Sequence, residues 1–275
     1  DGRRVRVLLQ VLSPGRDAYE NARLNDSEFE TFQLQLRSLP RWMRFAYSYA
    51  CNLDCYHCYQ RDEATQQTKL PDSFISDMTR LSSNYQVLYP FGGEPFLYKP
   101  VLRLIESGQI HDGVRFVFST NATLLTDRVI NLLRSKRLLL ISVSLDAASA
   151  STFDALRLRG RQGSWEEIRR NLDRLVALRR DNGFLFDISM TLNSRNAHEI
   201  EAFVDLGIAI GAEPIVLLVT NPNQSAEFQR EFLHFSPKQF EDMARQIGRA
   251  RMKVKKAGFT DSLAALEHLS KALAA

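Results

Sequence analysis

Six strand-like segments alternate with six helix-like segments along most of this 275-residue chain. The strand-like segments are apolar runs rich in β-branched and aromatic residues, at about 43–49, 86–91, 114–119, 138–144, 184–192 and 214–220. The helix-like segments repeat apolar residues every three or four positions, at about 72–82, 99–107, 126–135, 164–181, 197–210 and 237–256. Strand followed by helix, repeated, predicts an α/β fold with a parallel sheet and right-handed crossovers, as an open doubly wound sheet or a partial barrel.

Helix-start residues support this alternation. Thr126 precedes DRVINLL, Ser164 precedes WEEIRRNL with Glu167 three residues on, and Pro237 follows Ser236 at a first-turn position. We therefore divide the chain into an N-terminal flanking strand and helix (1–40), the βα domain (41–256) and a C-terminal helical tail (257–275). In the first segment, RVRVLLQVL predicts a strand and the residues around 26–38 predict a helix.

Composition indicates a globular protein, with 44% hydrophobic and 25% charged residues. We find no apolar run of about 18 residues, so no membrane span is predicted. The first residues place charge before a short apolar run, as a signal peptide does. Gln10 interrupts that run and no small-residue cleavage site follows, so we interpret it as a strand. The net charge is +4, but the basic residues share helices with Asp and Glu, so a nucleic-acid partner is not predicted.

The three cysteines all lie within eight residues, directly after the first predicted strand, as Cys51, Cys55 and Cys58. An odd number in one short loop argues against a disulfide framework and indicates a reducing cytoplasm. Thiolates are soft ligands that suit an iron–sulfur cluster or zinc, and three on one loop can hold three corners of a cubane and leave the fourth iron open. We therefore predict that these cysteines are metal ligands.

Other interpretations of the cysteines remain. Free structural cysteines are usually scattered through a core. A zinc site of three cysteines and His57 is a sharper alternative, although we expect His57 to point away from a shared metal. A purely electron-transferring cluster would normally need a fourth cysteine, and the chain has none.

A second motif, Gly92-Gly93-Glu94-Pro95, follows the second predicted strand. Paired glycines let a ligand approach the backbone, and a carboxylate suits a cationic amino group. Alone, this motif is equally consistent with a plain turn. Polar residues also follow later strands, and parallel α/β sheets bind ligands at that end of the strands.

With these motifs in order, the chain resembles the radical S-adenosylmethionine (SAM) superfamily over roughly residues 41–221. The resemblance implies a partial (β/α)6 TIM-like barrel that carries a [4Fe–4S] cluster and binds S-adenosylmethionine at the open iron. It implies an enzyme that makes a 5′-deoxyadenosyl radical by reductive cleavage and abstracts hydrogen from a substrate. The implied cofactor-binding residues are His57, Gly92, Gly93, Glu94, Asn121, Ser144, Asp146, Arg157, Leu218 and Val219.

The resemblance also assigns roles. The Gly-Gly-Glu segment meets the methionine amino group, Ser144 and Asp146 reach the ribose or carboxylate, and Arg157 binds a carboxylate, with Arg159 as an alternative. Leu218 and Val219 lie near adenine. His57 stands where an aromatic residue is usual, which leaves only backbone contact with adenine.

Simpler interpretations remain for several of these residues. Ser144 and Asp146 are suitable helix caps, and Arg157 is suitably placed to pair with Asp154. Tyr47 and Tyr49 are core or rim residues in one interpretation and substrate contacts in another. Four asparagines suit turns, and the first and third of them also suit the substrate mouth: Asn193, Asn196, Asn221 and Asn223.

The motif order is nearest to the sulfatase-maturase and peptide-modifying branch, which predicts a peptide or protein side chain as substrate. That branch often carries auxiliary clusters in a cysteine-rich C-terminal domain, but no cysteine follows Cys58 here. A small metabolite such as a sugar or nucleotide is the alternative substrate, and a zinc-bearing binding module is the alternative of another class. An electron donor such as flavodoxin or ferredoxin is the implied partner, and the N-terminal segment is a candidate site for a leader peptide.

Overall fold

Six parallel strands form one sheet in the order β1 to β6, and the chain crosses from each strand to its neighbour. The computed structural model describes residues 16–58, 71–158, 165–218, 230 and 232–274. The strands are β1 Trp42–Ser48, β2 Val87–Gly92, β3 Arg115–Thr120, β4 Leu138–Ser144, β5 Leu185–Leu192 and β6 Glu213–Leu218. All six predicted strands are confirmed. Within the described residues β1 and β6 are the two edges, so the barrel is partial, as predicted.

Helices follow the strands as the periodicity predicts. They are α1 Arg16–Glu30, α2 Asp72–Arg80, α3 Lys99–Glu106, α4 Asp127–Arg134, α5 Ala150–Phe153, α6 Trp165–Asn182, α7 Ile200–Ile210, α8 Pro237–Ala257 and α9 Thr260–Ala274. A π-helical turn, Asp154–Leu158, extends α5, and a short 3₁₀ turn, Ala197–Glu199, precedes α7.

The helix expected around 26–38 was placed wrongly, because α1 ends at Glu30. Ala18 and Ala22, one turn apart, are buried and hold α1 against the domain. Beyond its end, Phe32 has a left-handed φ of 53°. The Glu28 carboxylate accepts the amides of Arg37 and Ser38 at 2.7 and 3.1 Å, which turns the chain back instead of extending the helix. The strand predicted over the first twelve residues lies outside the described residues.

Alternation along the strands separates the two faces of the sheet. On β5, Phe186, Ile188, Met190 and Leu192 are buried against the helices, whereas the residues between them face the barrel interior and are partly exposed. The interior has a small apolar cluster of its own, which consists of Val87, Val117 and Leu139 with Tyr89 and Leu140 against it.

Two of the predicted helix starts are confirmed. Thr126 accepts the amide of Val129, and Ser236 forms a capping box with Gln239, with Pro237 in the first turn. Ser164 lies outside the described residues. Leu266 and Leu269 of α9 are buried in the same core as the sheet. In the part of the chain that the structure describes, no helix combines the length and apolar character that a membrane crossing requires.

Candidate functional site

The three cysteines lie on the loop that leaves the carboxyl end of β1, and hydrogen-bond donors contact the sulfur atoms of two of them. Cys51 Sγ accepts the Leu53 amide at 3.4 Å and Asn121 Nδ2 at 3.7 Å. Cys55 Sγ accepts Arg157 Nε at 3.4 Å. None of the three cysteines forms a disulfide within the described residues. N–H donors aimed at sulfur favour the thiolate, which is the form that binds metal.

Burial opposes that ionisation in the metal-free loop. It raises the pKa of Cys51, and it raises the pKa of Cys55 to about 11 despite the Arg157 guanidinium. Metal binding at these two thiols would therefore release their protons.

Gly92 and Gly93 bring β2 against the start of the cysteine loop. A Cβ on Gly92 would lie 2.1 Å from the Ser48 carbonyl oxygen, and one on Gly93 would lie 1.9 Å from that of Ala50. The Gly93 amide donates to Ser48 at 2.8 Å, and Gly92 has a φ of +140°. The backbone at the start of the cysteine loop therefore fills the space that a side chain would need, so both positions require glycine.

Glu94 is almost fully buried behind this junction. Its carboxylate accepts Thr120 Oγ1 at 2.8 Å, the Asn121 amide at 2.8 Å and the Phe96 amide at 3.4 Å. Burial raises its pKa to about 7, against the lowering effect of these donors. A carboxylate has about four acceptor positions, so Glu94 retains capacity for one more donor.

Asn121 connects the end of β3 to the cysteine loop. Its Nδ2 donates to Asn52 Oδ1 at 3.0 Å, and its Oδ1 accepts the amide and hydroxyl of Thr123 at 2.9 and 2.6 Å. Asn52 Nδ2 in turn donates to Thr123 Oγ1 at 2.7 Å. The structure thus gives Asn121 a positioning role beside Cys51.

Asp146, Arg157 and His57 form a buried polar group behind the loop. Asp146 Oδ2 lies 2.9 Å from His57 Nε2 and 3.5 Å from Arg157 Nη1, and Asp146 Oδ1 accepts the Thr191 amide at 2.7 Å. The π-helical turn Asp154–Leu158 carries Arg157 to this position, where it also donates to the Ser144 carbonyl. Arg157 therefore pairs with Asp146, and the alternative pairing with Asp154 is not what the structure has.

Burial and charge have opposite effects on Asp146. Burial raises its pKa, but Arg157 and then His57 outweigh that effect and hold the pKa well below its ordinary value. Neither Asp146 nor Ser144 caps the next helix, because Ser149 caps α5. Asp146 has a left-handed φ of 60°, and Asn196 Nδ2 fixes this turn by donating to its carbonyl at 3.0 Å.

The remaining candidate residues are partly in the core and partly outside the described residues. Leu218 ends β6 and packs against the main core, while its neighbour Leu217 is about half exposed, so an adenine contact of Leu218 stays a prediction. Val219, Arg159, Asn221 and Asn223 lie outside the described residues. Tyr47 is fully buried and stacks on Tyr98 with ring centroids 5.4 Å apart, as the core interpretation predicts, and Tyr49 is half-buried.

Asn193 and Asn196 are turn residues. Both are fully buried, so Asn193 does not line the substrate mouth. Asn193 Oδ1 accepts the Arg195 amide at 2.9 Å, and its Nδ2 donates to the Thr191 carbonyl at 3.0 Å.

Sequence reasoning missed several residues that hold the site. Asn52 and Thr120 bond Asn121 and Glu94, and Glu199 accepts the Ala148 amide at 2.7 Å. Arg195 lies over the ring of Tyr56 in the cysteine loop, 4.2 Å from its centroid. Asn52 and Thr120 adjoin motif residues, which is a usable signal, but Glu199 and Arg195 carry none.

The three cysteines suit a [4Fe–4S] cluster by residue type and spacing, although no three His, Cys, Asp or Glu side chains in the described part of the chain are already gathered around one metal position. Three sulfur ligands share one loop, and the Arg157 guanidinium offsets negative charge beside them. Two polar atoms near the loop, Tyr47 Oη and His57 Nδ1, are buried without a hydrogen-bond partner in the described part of the chain. His57 Nε2 lies 2.9 Å from Asp146 Oδ2, which leaves Nδ1 as the ring nitrogen that a metal would use in the zinc alternative.

Comparisons with known proteins agree with this geometry. Residues 46–207 match the Radical SAM superfamily. An AdoMet-dependent heme synthase of Methanosarcina barkeri is 31% identical over 186 residues, which cover 65% of this chain and 50% of that protein. Mycofactocin maturase MftC of Mycobacterium tuberculosis is 30% identical over 179 residues, with 63% and 43% covered. The chain thus spans about half the length of these relatives.

Solved structures share the fold. Streptococcus suis SuiB bound to precursor peptide SuiA has a TM-score of 0.61 at 15% identity, with 88% of this chain and 52% of that chain covered. The anSMEcpe structure with bound AdoMet has a TM-score of 0.59 at 15% identity, with 79% and 61% covered.

Proposed function

This chain belongs to the radical SAM superfamily, and we propose that it cleaves S-adenosylmethionine reductively at a [4Fe–4S] cluster and acts on a peptide or protein side chain. The observation that carries the proposal is that the cysteine loop, Glu94 and the Asp146–Arg157 pair all lie at the carboxyl edge of the sheet. When bound, the cluster and S-adenosylmethionine would together supply a 5′-deoxyadenosyl radical that abstracts hydrogen from the substrate.

The chain's own residues hold and orient these groups. Cys51, Cys55 and Cys58 are the cluster ligands, and Leu53, Asn121 and Arg157 aim N–H groups at two of their sulfur atoms. Arg157 is itself fixed by Asp146 and by the Ser144 carbonyl. The groups that position the cluster loop are therefore held in place by hydrogen bonds and an ion pair with one another.

Glu94 is the acceptor for the methionine amino group in this proposal. Its pKa of about 7 means that a cation beside it would complete its ionisation near neutral pH. Its three existing donors hold the carboxylate in one orientation.

Relatives support the peptide substrate. One relative is named a maturase, and the structural neighbours include SuiB with a precursor peptide and anSMEcpe with bound AdoMet and Cp18Cys peptide. A small metabolite is the second candidate, because other relatives are an AdoMet-dependent heme synthase and a GTP 3′,8-cyclase, at 31% and 30% identity.

Protease treatment separates the two candidates. Anaerobically reconstituted protein is given S-adenosylmethionine, dithionite and a heat-stable lysate fraction, and 5′-deoxyadenosine is measured. A peptide substrate predicts stimulation that disappears when the fraction is digested with protease. Stimulation that survives digestion contradicts the peptide proposal and supports the metabolite.

The proposal includes a reducing cytoplasm and a one-electron donor such as flavodoxin or ferredoxin. Free cysteines that ligate a cluster need such an environment. Replacing dithionite with reduced flavodoxin in the same assay tests the donor: product formation supports it, and absence of product with an active dithionite control contradicts it.

A further inference from the structure

Polar side chains from all six strands face the interior of the barrel, and those of β1 and β2 lie one same-face step nearer the amino ends of the strands than those of β3 to β6. Strand register pairs Arg44 with Tyr89, Ser119 with Ser142, Ser142 with Asp187, and Asp187 with Glu213. Residues paired in a parallel sheet point to the same face. We call this set the inner row: Arg44, Tyr89, Ser119, Ser142, Asp187 and Glu213.

Hydrogen bonds and a cation–π contact order the inner row. Tyr89 Oη and Ser119 Oγ lie 2.6 Å apart, so a hydrogen bond joins the β2 and β3 members of the row, which are not register partners. Ser142 Oγ donates to Asp187 Oδ1 at 2.5 Å. Arg44 lies over the rings of Tyr89 and Phe91, 5.3 and 4.4 Å from their centroids. The row is therefore cationic at its β1 end and anionic at its β5–β6 end.

The two carboxylates of the row differ in what they bind. Glu213 accepts the Asp261 and Ser262 amides at 2.7 and 3.0 Å, so it anchors the first turn of α9. Asp187 has no ion-pair partner within the described residues. Burial raises its pKa to about 6, against the effect of Ser142, and Glu213 adds to the increase. Asp187 is half-buried, and a carboxylate that is partly removed from water is stabilised by a cationic partner.

The row lies below the cofactor edge. Asp187 precedes Thr191, whose amide binds Asp146, by four residues, which is about 13 Å along a strand. The apolar cluster of Val87, Val117 and Leu139 also contacts Tyr89. A substrate group that enters the interior between the cofactor edge and this cluster therefore meets the inner row.

We propose that the carboxylate of Asp187 binds an amine or guanidinium group of the substrate inside the barrel. This inference rests on the proposed function, because it assumes that the substrate lies below the cofactor edge. A substrate cation would be the ion-pair partner of Asp187 and would bind its Oδ2. Ser142 already donates to the other oxygen, Oδ1. Arg44, at the other end of the row, repels the same group and so fixes its orientation.

Binding of matched blocked tripeptides tests this proposal. Reconstituted protein with S-adenosylmethionine is titrated with acetyl-glycyl-lysyl-glycine amide, with its norleucine counterpart and with its glutamate counterpart. The affinities are compared in wild type, Asp187→Asn, Asp187→Glu and the exposed control Asp112→Asn. Formation of 5′-deoxyadenosine is measured separately in each sample.

We expect the lysine peptide to bind at least fivefold more tightly than the norleucine peptide in wild type, Asp112→Asn and Asp187→Glu. The ratio falls to about one in Asp187→Asn. Equal affinities in wild type, an absence of binding, or a preference that persists in Asp187→Asn overturns the inference. Failure of 5′-deoxyadenosine formation in wild type contradicts the proposed function instead, so the two failures are distinguishable.

Discussion

Two carboxylates inside this barrel have opposite surroundings. Asp146, at the carboxyl edge, is bound by Arg157, His57 and the Thr191 amide, and its pKa is held well below the ordinary value. Asp187, on the inner row, has one hydroxyl donor, and burial raises its pKa to about 6. The charge of Asp146 is compensated by groups of the protein itself, whereas no cation lies at ion-pair distance from Asp187 among the described residues.

This difference suggests two roles: the edge binds the cofactor that the whole family shares, and the inner row selects the substrate. A cofactor common to a whole family suits a site whose own groups preorganise one another. An unpaired charge in the interior instead selects among substrates, because it favours one sign of charge and disfavours the other. The edge would then define the chemistry, and the inner row the specificity.

The largest effect is expected from removing a cluster ligand at the edge. Cys55→Ala leaves two sulfur ligands, so iron bound per chain after reconstitution should fall to near background, with complete loss of 5′-deoxyadenosine formation. Iron analysis and the visible absorption of the reconstituted protein measure this. Far-ultraviolet circular dichroism is the folding control, and full iron content in the variant would contradict the ligand assignment.

The next largest effect is expected from removing the partner of Asp146. Arg157→Met leaves a buried carboxylate uncompensated, which should lower the free energy of unfolding of the metal-free protein by about 3–5 kcal/mol. Arg128→Met is the matched control, because Arg128 pairs with Glu106 at 2.7 Å on the surface. That control should lose less than about 1 kcal/mol. Urea unfolding measures both variants. Equal losses of unfolding free energy in Arg157→Met and Arg128→Met would show that the ion pair at the edge matters no more than one at the surface.

Asp187→Asn should raise the free energy of unfolding, whereas Arg157→Met lowers it. A carboxyl whose pKa rises on folding destabilises the folded state where it is ionised, above about pH 6, and this penalty vanishes below the pKa of the unfolded chain. The variant should therefore be more stable than wild type by about 2 kcal/mol at pH 8 and nearly equal to it at pH 4. Urea unfolding at the two pH values checks this, and destabilisation at pH 8 would show that Asp187 is already compensated.

The smallest effect concerns the acceptor at the edge. Glu94→Gln should weaken S-adenosylmethionine binding to the reconstituted protein about tenfold and leave iron content unchanged, since it removes one charge. Wild-type affinity should fall as the pH drops from 8 to 6, because Glu94 gains a proton near pH 7. Equilibrium binding at both pH values tests this, with Glu106→Gln as control. Unaltered affinity in Glu94→Gln would exclude the amino-group contact.

Most of the fold was predictable because strands of a parallel sheet are buried and read as apolar runs. The edge was predictable because its motifs directly follow strands. The partner of Arg157 was not, since the π-helical turn carries it past nearby Asp154 to Asp146. The end of α1 was missed because Glu28 turns the chain through contacts nine and ten residues away. The inner row depends on strand register, which no local pattern encodes.

The most direct test of the central claim is electron paramagnetic resonance of the reduced, reconstituted protein with and without S-adenosylmethionine. We expect a [4Fe–4S]⁺ signal whose g values shift when S-adenosylmethionine is added, because three cysteine ligands would leave the fourth iron for the cofactor. Cys55→Ala should give no such signal. A wild-type cluster signal that S-adenosylmethionine leaves unchanged would contradict the claim that the carboxyl edge binds this cofactor.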